Sequence, residues 1–163
     1  MPVREILVEE VMNPDVLTVK PGTTTMDALR QMAAKHVGSI VVMKNKKPMG
    51  IFTERDLLYK VVLAGKNPEQ TPVREVMTRN VVSIAPDRSV ESAMNKMAQG
   101  SFRHLLVADD GDDIQGIVSI KDLARALQMQ LIAGRRPAAE WPDERIAGEE
   151  RARHTPTRAA KPR

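Results

Sequence analysis

Two short patterns in the chain carry residue types that can do chemistry: Thr53-Glu54-Arg55-Asp56 and Ser119-Ile120-Lys121-Asp122. Each sets a hydroxyl three residues before a carboxylate, with a cation immediately ahead of the acid. Each also follows a glycine, Gly50 or Gly116, and a short apolar run. A hydroxyl and an acid at this spacing, just before an apolar run, resemble a capping box, worth about 0.5–2 kcal/mol of local stability. The same atoms suit a ligand. A helix start presents free N–H groups and a positive dipole end, which favour phosphate. Arg55 and Lys121 can add charge-assisted contacts, and a glycine lets a ligand approach the backbone closely. Hydroxyl and cation for phosphate, with carboxylate for a ribose diol, complement a nucleotide.

Other chemistries lack their residues. The chain has no cysteine, hence no disulfide framework, thiolate nucleophile or Cys-based zinc site. His36, His104 and His154 are too scattered for a metal pair. Asp109, Asp110, Asp112 and Asp113 lack the spacing and closing Glu of a calcium loop. They read, like "KNKK" from Lys44, as a solvated hairpin turn. No activated nucleophile or acid–base pair stands out, so the chain reads as a non-enzyme with no catalytic residue and no metal ligand.

The elements that must position the two patterns come from an internal repeat. Val8, Val11, Met12, Val16, Pro21, Ala28 and Met32 recur 65 residues later as Val73, Val76, Met77, Val81, Pro86, Ala93 and Met97. Beyond Lys44–Pro48 the offset is 66, aligning Gly50 with Gly116 and Asp56 with Asp122, as one inserted turn residue requires. Each copy reads β-α-β-β-α. "DVLTV" and "NVVSI" are β-branched strands stopped by a proline. Thr24-x-x-Asp27 and Ser89-x-x-Ser92 open helices whose apolar positions are Met26, Leu29, Met32 and Ala33, and Val90, Ala93, Met94 and Met97. "GSIVVM" and "RHLLVA" are central strands. Third strands run over Met49–Phe52 and Gln115–Val118, and closing helices start at Thr53 and Ser119. A unit of about sixty residues is too small to bury its sheet alone. The fold class is therefore α+β: two β-α-β-β-α repeats packed through their sheets with pseudo-twofold symmetry, over 1–66 and 67–133, with a charged, Pro-containing tail over 134–163.

With 2% aromatic residues and 10 Met, the core is aliphatic and adaptable. The net charge of +4 sits mostly in the tail: residues 1–133 hold 17 Lys+Arg against 16 Asp+Glu, and residues 134–163 hold 8 against 5. Interleaved acids and scarce aromatics argue against nucleic acid as a partner, though a basic tail acting on nucleic acid or another macromolecule is the alternative function. Within the tail, Pro142 and Trp141 suit a short docked helix. Glu5, Glu9 and Glu10 interrupt the N-terminus where a signal peptide needs an apolar stretch, and no run spans a membrane, so a cytoplasmic location is expected.

The duplicated unit, the Val-Met-x-x-x-Val opening, the proline after the first strand and the Gly-h-h-Thr/Ser-x-x-Asp signature together resemble a tandem pair of CBS domains, the module named after cystathionine β-synthase. The likeness covers about residues 8–130. It implies two pseudo-symmetric clefts that take an adenosine-type ligand, AMP, ADP, ATP or S-adenosylmethionine, with the motif Asp on ribose and the hydroxyl and nearby cations facing phosphate. One cleft would use Thr53, Arg55 and Asp56 with Val82, Arg103 and His104. The other would use Ser119, Lys121 and Asp122 with Leu17, Val37, Gly38 and Ser39. Arg103 and His104 replace Gly38 and Ser39 of the first copy, which makes the Asp56 cleft the expected tighter anion site. The resemblance also implies a regulatory, non-catalytic homodimer signalling to a downstream protein.

Overall fold

The computed structural model describes residues 4–109 and 113–134; the Trp141 segment and part of the Asp-rich turn lie outside them. Each repeat forms a three-stranded sheet. The first holds β1 (Thr18–Val19), β2 (Ser39–Lys44) and β3 (Lys47–Thr53) in that order, with α1 (Thr25–Lys35) linking the parallel pair β1–β2. The second holds β4 (Ser83–Ile84), β5 (His104–Ala108) and β6 (Ile114–Ser119), with α4 (Val90–Gly100) as the crossover. The hairpins β2–β3 and β5–β6 are antiparallel. In the first, Asn45 and Lys46 both take positive φ, the geometry of a tight two-residue hairpin turn.

Helix starts follow their side chains. The Thr24 hydroxyl accepts the Asp27 N–H at 3.1 Å, and the Ser89 hydroxyl accepts the Ser92 N–H at 3.1 Å. Both helices end on a left-handed residue, His36 and Ser101. Within α1, Ala28 and Met32 are buried, but Ala33 is exposed, and Thr25 takes a buried slot by donating its hydroxyl to the Pro68 carbonyl. The β1 and β4 strands are shorter than their β-branched runs because the Val16 and Val81 N–H groups turn back onto Pro14 and Arg79.

The closing helices differ. In the second repeat α5 runs Ile120–Gly134 as a regular α-helix. In the first, α2 is a single turn, Glu54–Asp56, that continues as a π-helix over Leu57–Val62. No described helix is long and apolar enough to cross a membrane.

The two cores exchange their opening segments. Val73, Val76 and Met77, from α3 (Val73–Val76) and its C-cap, pack with Ile40, Val42 and Phe52 of the first repeat. Val8, from a 3₁₀ turn at Val8–Glu10, packs with Leu105, Val107 and Leu123 of the second. The backbone repeats the exchange: Val73 N–H donates to Thr23 O at 2.8 Å, and Val8 N–H donates to Arg88 O at 2.8 Å. Val41 and Leu106 alternate out of these cores yet are also buried, because each sheet's other face is covered as the repeats pack together. The result is the α+β arrangement expected: paired β-α-β-β-α units joined through their sheets.

Candidate functional site

The hydroxyl–carboxylate turns form at both strand-to-helix junctions. In the first, Thr53 N–H and Thr53 Oγ1 donate to Asp56 Oδ2 at 3.0 and 2.9 Å, and Asp56 N–H donates back to Thr53 Oγ1 at 3.3 Å. In the second, Ser119 N–H and Oγ donate to Asp122 Oδ2 at 2.9 and 2.6 Å, with Asp122 N–H returning to Ser119 Oγ at 3.3 Å. The capping box is thus real in both copies and consumes one carboxylate oxygen of each acid.

The remaining oxygen distinguishes the copies. Asp56 Oδ1 receives the Lys60 ammonium at 2.6 Å and the Thr78 hydroxyl at 3.1 Å, and Lys60 also reaches Thr78 Oγ1 at 3.2 Å. Asp56 is buried, with 6% of its surface exposed. Asp122 is half-buried, and among the described residues its Oδ1 accepts no hydrogen bond. Lys60 and Thr78 escape a motif-based reading because their repeat equivalents are Ala126 and Asn13.

The glycines ahead of the turns are strand residues approached by protein. A Cβ on Gly50 would stand 2.5 Å from Met77 Sδ and 2.8 Å from Thr78 O; one on Gly116 would stand 2.7 Å from Met12 Sδ and 2.9 Å from Asn13 O. Backbone bonds seal both contacts, with Ile51 and Thr78 exchanging theirs at 2.9 and 2.8 Å and Asn13 and Ile117 at 2.8 and 3.0 Å. The close approach expected of a ligand is made here by the opposite repeat's opening segment.

The other candidates sit at the starts of the central strands and beside them. Leu17 and Val82 are half-buried, pack on the first and second cores, and hydrogen-bond through their carbonyls to Val41 and Leu106. Val37 packs on the first core, and Ser39 is buried opposite Thr53 in the β2–β3 register. Gly38 lies under the Glu54 side chain, whose Oε2 would stand 3.3 Å from a Cβ there. His104 pairs with Ser119 across β5–β6. Its imidazole feels the Asp122 and Glu54 carboxylates, which brings it to the second motif's acid and to the residue beside Thr53. Burial, the largest effect, and the Arg103 cation lower its pKa, while the two carboxylates oppose them. Arg55, Arg103 and Lys121 are exposed and, among the described residues, form no ion pair.

A cavity of about 290 Å³ lies elsewhere, between Arg4–Ile6, the start of α4 and Leu127 and Gln130 of α5; it contains none of the candidate residues. Among the described residues, no group of three His, Cys, Asp or Glu is placed to hold a metal ion. The arrangement offers hydroxyls, cations and one open carboxylate oxygen, a set for binding a polyhydroxylated, anionic small molecule.

Comparison with known proteins agrees with the duplicated geometry. An uncharacterised protein of Methanopyrus kandleri is 36% identical over 121 residues, a match covering 74% of this chain and 62% of that protein. CBS domain-containing proteins of Arabidopsis thaliana match at 35% and 39% identity over only 22% and 20% of their lengths, so the match spans less than two thirds of these relatives. The crystal structure of a CBS-domain containing protein from Agrobacterium tumefaciens superposes with a TM-score of 0.69 at 33% identity, covering 74% of this chain and 92% of the other. A Pyrobaculum aerophilum CBS domain protein complexed with AMP shares the fold, with a TM-score of 0.69 at 22% identity, over 79% of this chain and all of that one. The family model of the CBS domain matches residues 8–63 and again 73–129, and this chain therefore belongs to the CBS domain family.

Proposed function

We propose that the chain is a regulatory module that binds an adenine nucleotide or related adenosine ligand and transmits occupancy to a partner protein without catalysing a reaction. The observation that carries this reading is the duplicated hydroxyl–carboxylate turn at the two strand-to-helix junctions, with Asp122 Oδ1 left open. A ribose hydroxyl is a fitting donor to such an oxygen, and Lys121, the exposed residue next in sequence to Asp122, forms no ion pair among the described residues and can offer its cation to phosphate. In this reading Ser119, Lys121 and Asp122 work with Leu17, Val37, Gly38 and Ser39, while His104, expected beside Asp56, lies across from Ser119 and feels Asp122 and Glu54. The AMP in the Pyrobaculum protein makes AMP the first ligand to test.

The same reading includes a homodimer. Tyr59, Val62 and Leu63 in the first closing segment are 58%, 59% and 68% exposed, and Met129, Leu131 and Ile132 in the second are 65%, 66% and 63% exposed. Apolar surface concentrated on both closing segments is what a partner copy would cover.

A thermal-shift panel of AMP, ADP, ATP, NAD and S-adenosylmethionine tests the binding. At a hundredfold excess over Kd, stabilisation of about 2.7 kcal/mol raises the melting temperature by roughly 5–10 °C for a chain of this size. No shift with any of the five would sink the reading.

A further inference from the structure

We propose that the Asp56 cleft is closed by the protein's own Lys60 and Thr78, so that the chain takes one adenosine ligand, at Asp122, and that Lys60 determines this choice. The proposal rests on the nucleotide-binding reading above and concerns which of the two clefts is competent.

A carboxylate has two oxygens with which to receive a ribose diol. In both repeats Oδ2 is spent on the cap, held by the backbone N–H and hydroxyl of Thr53 or Ser119. Ligand binding then depends on Oδ1. At Asp56 it is already held by an ammonium at 2.6 Å and a hydroxyl at 3.1 Å, and the side chain is 7% exposed. A ribose hydroxyl would have to displace Thr78 and share the oxygen with Lys60, breaking a hydrogen bond to a buried acid that ties the two repeats together, which is costly. At Asp122 the equivalent positions leave Oδ1 alone: Ala126 has no donor, and among the described residues no hydrogen bond joins the Asn13 side chain to Asp122, its Oδ1 instead accepting the Asp15 N–H at 2.9 Å. Thr78 also belongs to the segment that hydrogen-bonds Ile51, so opening the Asp56 oxygen disturbs the contact between the repeats, whereas filling the Asp122 oxygen does not.

The preference runs opposite to the one suggested by Arg103 and His104. Both are cationic or potentially cationic, but Arg103 is exposed and His104 is placed with Asp122 and Glu54. The ordering is set by an i,i+4 ion pair inside the first closing segment, a contact with no counterpart in the second repeat.

The test uses the whole chain and AMP, ADP and ATP in turn. Calorimetry should give one equivalent per chain, and ligand-induced amide shifts in a ¹⁵N spectrum of the unmutated protein should centre on Ser119–Asp122 and leave Thr53–Asp56 in place. The Lys60→Ala/Thr78→Ala double variant, checked for folding by circular dichroism, should bind a second equivalent. Two equivalents in the unmutated protein, or shifts centred on Thr53–Asp56, overturn the proposal while leaving nucleotide binding intact. A folded double variant that still binds one equivalent overturns the role of Lys60. If none of the three nucleotides binds either protein, the underlying reading fails and the proposal with it.

Discussion

Met77 occupies the space that a side chain on Gly50 would need: its Sδ lies 2.5 Å from the position of that Cβ, with the backbone carbonyl of Thr78 at 2.8 Å. Glycine at this site is therefore required by the docking of the second repeat's opening segment on β3. Gly50→Ala should destabilise the chain by about 1–3 kcal/mol, the range for overpacking. Adding Met77→Ala removes the sulfur but not the carbonyl, so the double variant should stay less stable than Met77→Ala alone. Urea denaturation of the three variants checks this, and full recovery in the double variant would show that only the side chain matters.

The exchanged cores give a second expectation. Val73 is fully buried among first-repeat residues and Val8 among second-repeat residues. Either truncation to Ala removes two methyl groups, at about 0.8 kcal/mol each, and so costs about 2 kcal/mol with the cavity term. The chain's two phenylalanines report the location, because Phe52 lies in the first core and Phe102 packs on the second. Aromatic NMR signals of Phe52 should move in Val73→Ala and those of Phe102 in Val8→Ala. The opposite pattern would show that each opening segment serves its own repeat.

His104 predicts a pH dependence. Burial lowers its folded pKa below 6.5, so the folded state binds the proton less readily than the unfolded chain. Above about pH 6.5 both states hold the ring neutral and the effect is absent. As pH falls below that value, the unfolded chain protonates first and stability declines until the folded pKa is passed. His104→Gln should flatten this part of the stability–pH curve. Glu54→Gln, which removes a carboxylate that favours the charged ring, should lower the His104 pKa further in a proton NMR titration. A rise instead would contradict the placement of Glu54 at the imidazole.

Much of this arrangement is legible in the residues, because duplication turns weak local patterns into paired ones. Thr24, Ser89, Thr53 and Ser119 all cap helices where a hydroxyl precedes an apolar periodic run. The central strands stand out as continuous apolar segments, since β2 and β5 are covered on both faces. The exchange of opening segments is not legible: Val8 and Val73 look alike, and nothing local says whose core each enters. Nor is the Lys60–Asp56–Thr78 cluster. It joins residues from two repeats at positions where the copies differ, and a comparison built on likeness passes over them. The glycines illustrate a different ambiguity, since a close backbone approach serves a ligand or a neighbouring strand equally well, and only the fold shows Met77 and Met12 there.

The two motif acids should differ in what they contribute to stability without any ligand. Asp56→Asn removes the charge that holds Lys60 and weakens the acceptor for Thr53 N–H, Thr53 Oγ1 and Thr78 Oγ1. Among the described residues, Asp122→Asn weakens two hydrogen bonds, both from Ser119, and removes a charge that His104 feels. Hydrogen bonds to a charged group contribute about 1.5–3 kcal/mol each when buried, whereas a cap contributes about 1 kcal/mol. Because Lys60 is 43% exposed, its pair with Asp56 is discounted for solvent screening. The expected loss is then about 2 kcal/mol for Asp56→Asn and about 1 kcal/mol for Asp122→Asn, measured by urea denaturation in nucleotide-free buffer. If the proposed choice of cleft holds, the ranking inverts for AMP binding, with Asp122→Asn the more damaging. An acid committed to holding the two repeats together is the one least free to hold a ribose.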